Sequence, residues 1–224
     1  MKLNQYITED TEIDEIAAKI KKDCQPYLRI LRKGAPALIR GTRDNLLNPL
    51  SKKQSHPDRI PKDMPKWLHD YSNVMLKKRH GWEVRNGVSV STESWQVEGY
   101  GKTYIMLPIG KFTWAYVPGQ WDFYNFLKHQ FNDYAGKAHN VEYTDIKHLQ
   151  KEEMTDGAWM MVDAALTDYQ SERSWEQHSG EIMIGVKSYY LFDFKRYPRG
   201  VVPQMFEDLG IKLFFFGESS IYYN

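Results

Sequence analysis

Arg40, Ser91, Thr92 and Glu181 are the side chains whose types and order could do chemistry. Arg40 closes the run Ala35-Pro36-Ala37-Leu38-Ile39, which predicts a short buried strand. An arginine at a strand end can donate two parallel hydrogen bonds to a phosphate, and the glycine behind it, Gly41, lets backbone approach a ligand closely. Ser91 and Thr92 offer hydroxyls from the alternating run Gly87 to Thr92. Glu181 follows Gly180 at the head of a further apolar run, where a carboxylate can bind a ribose hydroxyl. In this order the set could hold a dinucleotide and break its glycosidic bond. Taken singly, each piece has a plain structural explanation: a turn, an ordinary strand, a solvated acid.

The elements that must position these residues follow from periodicity. Ile13, Ile16, Ala17, Ile20 and Cys24 predict a helix over Thr11 to Cys24 with Thr11 as its cap. The polar, proline-punctuated stretch Thr42 to Lys66 reads as a long surface loop, and Pro65 suits the first turn of a helix that stops near Gly81. Gly87 to Thr92, Lys102 to Leu107 and Phe112 to Val117 predict strands. Trp121 to Tyr134 and Ala158 to Tyr169 predict helices, and Glu181 to Val186, Ser188 to Phe194 and Lys212 to Gly217 predict the last strands. The expectation is one α+β domain over residues 1–224, with helices gathered early and strands concentrated later.

Composition removes several function classes. The chain has 224 residues, 42% hydrophobic, and a net charge of +1, so no global field draws it to nucleic acid or membrane. No stretch approaches the roughly 20 apolar residues that cross a bilayer, and Met1 to Asp10 lacks the apolar core of a signal peptide. A cytoplasmic protein is expected. Cys24 is the single cysteine and lies on an apolar helix face, which suits a core position better than a nucleophile. His56, His69, His80, His129, His139, His148 and His178 form no zinc spacing, so no metal is expected. The chain has no GxxxxGK[ST], no GxGxxG after a strand and no GxSxG. Lys52-Lys53, Arg59, Lys62, Lys66 and Lys77-Lys78-Arg79-His80 read first as a solvated loop and a charged helix end, and second as phosphate contacts. Aromatics reach 14%, enough to build a core and also to stack on planar ligands.

Leu38-Ile39-Arg40-Gly41, Val90-Ser91-Thr92-Glu93-Ser94 and Glu181-Ile182-Met183-Ile184 resemble, in that order, the motifs of the arginine-serine-glutamate class of mono-ADP-ribosyltransferases. Tyr104 to Gly110 resembles the strand and turn after the serine motif, and Tyr189-Tyr190-Leu191-Phe192 the strand that pairs with the glutamate strand. The resemblance spans Pro36 to Phe194. The chain is also similar to tailed-phage proteins of unknown function that share an Arg-Gly start, a tryptophan helix and a Tyr-Gly strand.

The resemblance implies a split β-sheet core behind an N-terminal helical segment, residues 1–35. It implies NAD as substrate and transfer of ADP-ribose to a macromolecule, protein before nucleic acid, by a phage-type effector in the host cytoplasm. Glu181 would hold the ribose 2′-hydroxyl and stabilise the oxocarbenium-like state. Arg40 would clamp the phosphate, and Gly41 backbone would hold the nicotinamide amide. Ser91, with Thr92 beside it in the cofactor pocket, would position Arg40 and Glu181 by hydrogen bonds. Tyr100 or Tyr104 would stack on the nicotinamide ring. Ser179 stands where many members carry a second acid that helps select the acceptor, which speaks against arginine as the target. Glu93 stands where the motif keeps a small hydroxyl residue. The alternatives are a chain of the same fold that binds a nucleotide or partner without catalysis, and a phage structural or host-inhibiting protein whose aromatics build a core and an interface.

Overall fold

Ile13, Ile16 and Ile20 lie on one helical face and are buried, as their spacing predicts. The helix they belong to, α1 (Leu3–Asp23), starts eight residues before Thr11, so Thr11 is an interior residue and not a cap. Residues 3–10 contain neither proline nor glycine, so nothing in them stops the helix from extending. The computed structural model describes residues 3–59, 64–139, 150–171, 175 and 180–213, with backbone alone for 3–10 and 132–139. Ser179, Lys62, His148, His178 and the expected strand beyond residue 213 lie outside the described residues.

After α1 come α2 (Gln25–Leu31), β1 (Ile39–Thr42), β2 (Leu50–Gln54), α3 (Lys66–His80) and β3 (Val88–Ser91). Then follow α4 (Ser94–Glu98), β4 (Lys102–Pro108), β5 (Thr113–Tyr116), α5 (Phe123–His139) and α6 (Asp156–Thr167). The chain continues through β6 (Glu181–Gly185), β7 (Ser188–Phe192) and α7 (Val201–Asp208). The class is α+β, built on a seven-stranded antiparallel sheet in the order β2-β7-β4-β1-β3-β6-β5. Helices and strands interleave along the chain, contrary to the expected segregation, because α5 and α6 cross between β5 and β6 to cover one face of the sheet.

Two expected elements move. The strand expected over Ala35 to Ile39 begins only at Ile39, so Arg40 and Gly41 lie inside β1 and not behind it. Pro36 has no N–H for a ladder, and the N–H of Leu38 donates instead to the Tyr27 hydroxyl at 2.8 Å. Within the expected loop, Leu50–Gln54 forms β2, paired over its whole length with β7. It is an edge strand carrying Lys52 and Lys53, a composition that blunts sheet edges and hides the strand from a hydrophobicity pattern.

Side-chain alternation assigns the faces. Val88 and Val90 of β3 and Ile182 and Ile184 of β6 join the core built with α1, α2 and α7. Met183 and Ala115 join the second core with Leu68, Leu76, Phe123, Leu127, Val162 and Leu166 of α3, α5 and α6. Most rings serve packing: Trp175 is fully buried among Tyr27, Phe112 and Trp114, and its indole N–H donates to Pro36 O. Cys24 is also buried, and burial, helped by the charge of Asp23, pushes its thiol up to about 12. Among the described residues no helix is long and apolar enough to cross a membrane.

β1 pairs with β4 at four positions but meets β3 at one, Ile39↔Ser91. β3 continues with β6 at four positions, including Ser91↔Glu181. The sheet therefore parts beside Arg40, with β1 held to one half and β3 to the other.

Candidate functional site

Ile39, Ser91 and Glu181 stand in one row across β1, β3 and β6. Neighbouring strands lie about 4.8 Å apart, so the backbones at Arg40 and Glu181 are separated by roughly 10 Å, a span that one mononucleotide covers. Because successive side chains alternate, Ser89, Ser91, Glu181 and Met183 share one face of β3 and β6.

Ser89 is the link between the two charged residues. Its carbonyl accepts from Arg40 Nη1 at 2.7 Å, and its hydroxyl donates to Glu181 Oε1 at 2.8 Å. This corrects the expectation for Ser91, whose hydroxyl donates to Gln96 Oε1 at 2.6 Å and accepts from the Glu93 N–H at 3.0 Å. Ser91 is drawn into the turn that starts α4, so its companion two residues earlier on the same face reaches the carboxylate. The period-two alternation of Val88-Ser89-Val90-Ser91 carried that signal.

The other carboxylate oxygen is held by groups that the motifs do not contain. Arg85, in a short 3₁₀ turn before β3, donates from Nη1 to Glu181 Oε2 at 3.1 Å and to the Tyr169 hydroxyl at 3.0 Å. Its guanidinium lies 5.0 Å from the centroid of the Phe123 ring. The Phe123 N–H, at the start of α5, also donates to Glu181 Oε2, at 3.3 Å. Burial pushes the Glu181 carboxyl up, but the Arg85 charge and these hydrogen bonds outweigh it and hold the group below the usual carboxylate range. Burial opposes the Arg85 charge too, yet Glu181 and Tyr169 drive that guanidinium above its ordinary value. Asp122 lies between the two backbone groups that grip Glu181, the Trp121 carbonyl and the Phe123 N–H. Burial and then the Glu181 charge raise its carboxyl, while it caps α5 through the Asn125 N–H at 2.8 Å. Nothing local in the sequence marks Arg85 or Asp122, since only the fold brings them to Glu181.

Among the described residues of the basic stretch, Arg59 turns toward this site. Nη1 donates to Gly87 O at 3.2 Å, and burial, then the charges of Arg85 and Arg40, hold its guanidinium below the ordinary arginine value, with Glu181 opposing. Lys53 pairs with Asp44, Lys66 with Asp70 and Lys77 with Glu83, which fits the solvated reading of those lysines. Arg59 also lines a groove of about 610 Å³ along α3 with Asp58, His69 and Asn73, and none of Arg40, Ser89, Ser91 or Glu181 borders it.

The remaining expected residues divide. Thr92 is fully buried and Tyr104 nearly so, with the Tyr104 hydroxyl donating to Asp44 O at 3.3 Å. Stacking by Tyr104 is thereby corrected: its ring is core. Tyr100, just after α4, is 58% exposed. Gly41 has a packing reason for being glycine, because a Cβ there would lie 2.0 Å from the Val97 carbonyl oxygen of α4. The space that a side chain would need there is taken by α4. Gly41→Ala should push α4 off β1 and cost roughly 1–3 kcal/mol. Urea denaturation measures this, and an unchanged midpoint would show that α4 is free to shift. Among the described residues no group of histidines, cysteines and carboxylates could hold a metal ion.

No family model, curated protein or solved structure matches this chain.

Proposed function

We propose that the seam between β1 and β3 binds NAD and that the chain transfers ADP-ribose from it to a macromolecular acceptor, in a fold of the ADP-ribosyltransferase type. The observation that carries this reading is the chain of contacts Arg40–Ser89–Glu181 across the row of adjacent strands. Arg40, Arg59 and Arg85 gather against Glu181 and Asp122, a balance that suits a pyrophosphate.

In the reaction the ribose C1′–nicotinamide bond breaks, and nicotinamide leaves with the bonding pair. Positive charge develops on the ribose. Glu181, kept ionised by Arg85, accepts the 2′-hydroxyl through Oε1 and stabilises that charge. The acceptor's nucleophilic atom attacks C1′ from the opposite face and gives up its proton to solvent or a nearby base. Protein is the first acceptor class and nucleic acid the second.

One observation favours a second reading, binding of the nucleotide without turnover. Arg85 offsets the very charge that an oxocarbenium-like state would need from Glu181. Radiolabelled NAD mixed with cell lysate separates the two. Label transfer that requires Glu181 and Arg40 supports the enzyme. Calorimetric NAD binding lost in Arg40→Ala, without transfer or nicotinamide release, supports the binder. Absence of NAD binding removes both.

A further inference from the structure

Among the described residues the exposed large apolar side chains are Leu47, Val74, Trp95, Tyr100, Trp121 and Met160, and all three rings among them flank the site. Trp95 belongs to α4, which packs on β1, β3 and β4, and it is 48% exposed. Trp121 precedes α5, is 62% exposed, and accepts the Glu181 N–H on its carbonyl at 3.0 Å. The two indoles come from opposite sides of the row and meet edge to face, with centroids 5.1 Å apart and planes at 86°. That pairing holds the two rings against each other while both stay partly exposed. Tyr100 begins where α4 ends, and its Cβ lies 3.1 Å from the position a Gly41 Cβ would take.

We propose that Trp95 and Trp121 form the stacking platform for a planar heteroaromatic ring of the bound nucleotide, whose phosphates sit on Arg40 and Arg59. This deepens the NAD reading and rests on it. Charge complementarity selects the occupant. Among the described residues the guanidiniums of Arg40 and Arg59 each donate one hydrogen bond, to Ser89 O and Gly87 O, and a guanidinium carries five N–H donors in all. A ligand that is anionic at one end and flat at the other matches guanidiniums at the seam and exposed indoles at its rim. Aromatic side chains stack any base because every base has a π-face.

Calorimetric titration of the full chain tests this with three probes: NAD, nicotinamide mononucleotide and AMP. Trp95→Ala and Trp121→Ala should each weaken NAD binding by roughly 5- to 100-fold, and the corresponding Phe variants should recover most of it. A loss shared by nicotinamide mononucleotide alone assigns the platform to the nicotinamide ring, and one shared by AMP alone assigns it to adenine. Both results support the proposal. Near-ultraviolet circular dichroism checks that the variants remain folded, which their surface position favours. NAD affinity unchanged in both Ala variants but lost in Arg40→Ala overturns the platform and leaves the NAD reading intact. The same holds if the Ala variants lose only label transfer, since the rings would then face the acceptor. No NAD binding by the unaltered chain overturns both.

Discussion

Arg85→Ala is expected to lower the stability of the fold by roughly 3–5 kcal/mol, the typical cost of leaving one member of a buried ion pair without its partner. The magnitude follows from position. The Arg85 side chain is 7% exposed and that of Glu181 14%, so water cannot replace the lost guanidinium. The same substitution removes the donor to the Tyr169 hydroxyl and the cation over Phe123. Urea denaturation of Arg85→Ala, Glu181→Leu and the double variant measures the effect. The double variant should be less destabilised than the two single losses summed, because it leaves neither charge stranded. Strict additivity would show that the two groups do not stabilise each other. Acid should probe the same pair. Glu181 is held below its unfolded value, so its contribution is present above the ordinary carboxylate range and is lost as pH falls through the lowered folded value. Asp122 is raised and acts in the opposite sense: its contribution is present below its unfolded value and is lost as pH rises through the folded one. Asp122→Asn should therefore increase stability at neutral pH relative to acid, less the part lost from its capping of α5.

On the proposed reading, Glu181→Gln is expected to reduce ADP-ribose transfer by roughly 10²- to 10³-fold, the usual loss when a preorganised charge-stabilising group is removed. The amide keeps an oxygen for the Ser89 hydroxyl and nearly the same shape, but its NH2 then replaces the oxygen that accepts from Arg85 Nη1 and the Phe123 N–H, so the change removes the charge and those two contacts together. It also strands Arg85, and rates must be compared at a temperature where both proteins are fully folded. NAD affinity measured in parallel should change far less than the rate, because Arg40 and Arg59 would hold the phosphates. A variant that keeps full transfer would make Glu181 a purely structural partner of Arg85. A variant that loses affinity and rate together would place the residue in ground-state binding.

Much of the architecture was legible because it is written in local periodicity. Val88-Ser89-Val90-Ser91 alternates, and β3 forms with the valines in one core and the serines on the other face. Pro65 and Gly81 bracket α3, with Gly81 in the left-handed conformation at φ 79°. Legibility failed where pairing had to supply what composition did not. β2 has a single apolar residue, Leu50, and exists because β7 offers it a complete ladder. β1 starts four residues later than its apolar run because Pro36 cannot pair and a tyrosine from α2 takes the Leu38 N–H.

The candidate site divides along the same line. Taken alone, the sequence determined which residues carry charge or hydroxyls and the order in which Arg40, Ser91 and Glu181 appear, since strand periodicity and residue chemistry are local properties. Only the tertiary structure decided which of them touch. Register, set by long-range ladders, made Ser89 the bridge and turned Ser91 toward Gln96. Packing of α4 on Gly41 and of α5 on Glu181 brought in Trp95, Trp121 and Asp122. Burial made Arg85 the partner of Glu181, because an ionised carboxylate taken out of water requires a nearby opposite charge and hydrogen-bond donors wherever in the chain they lie.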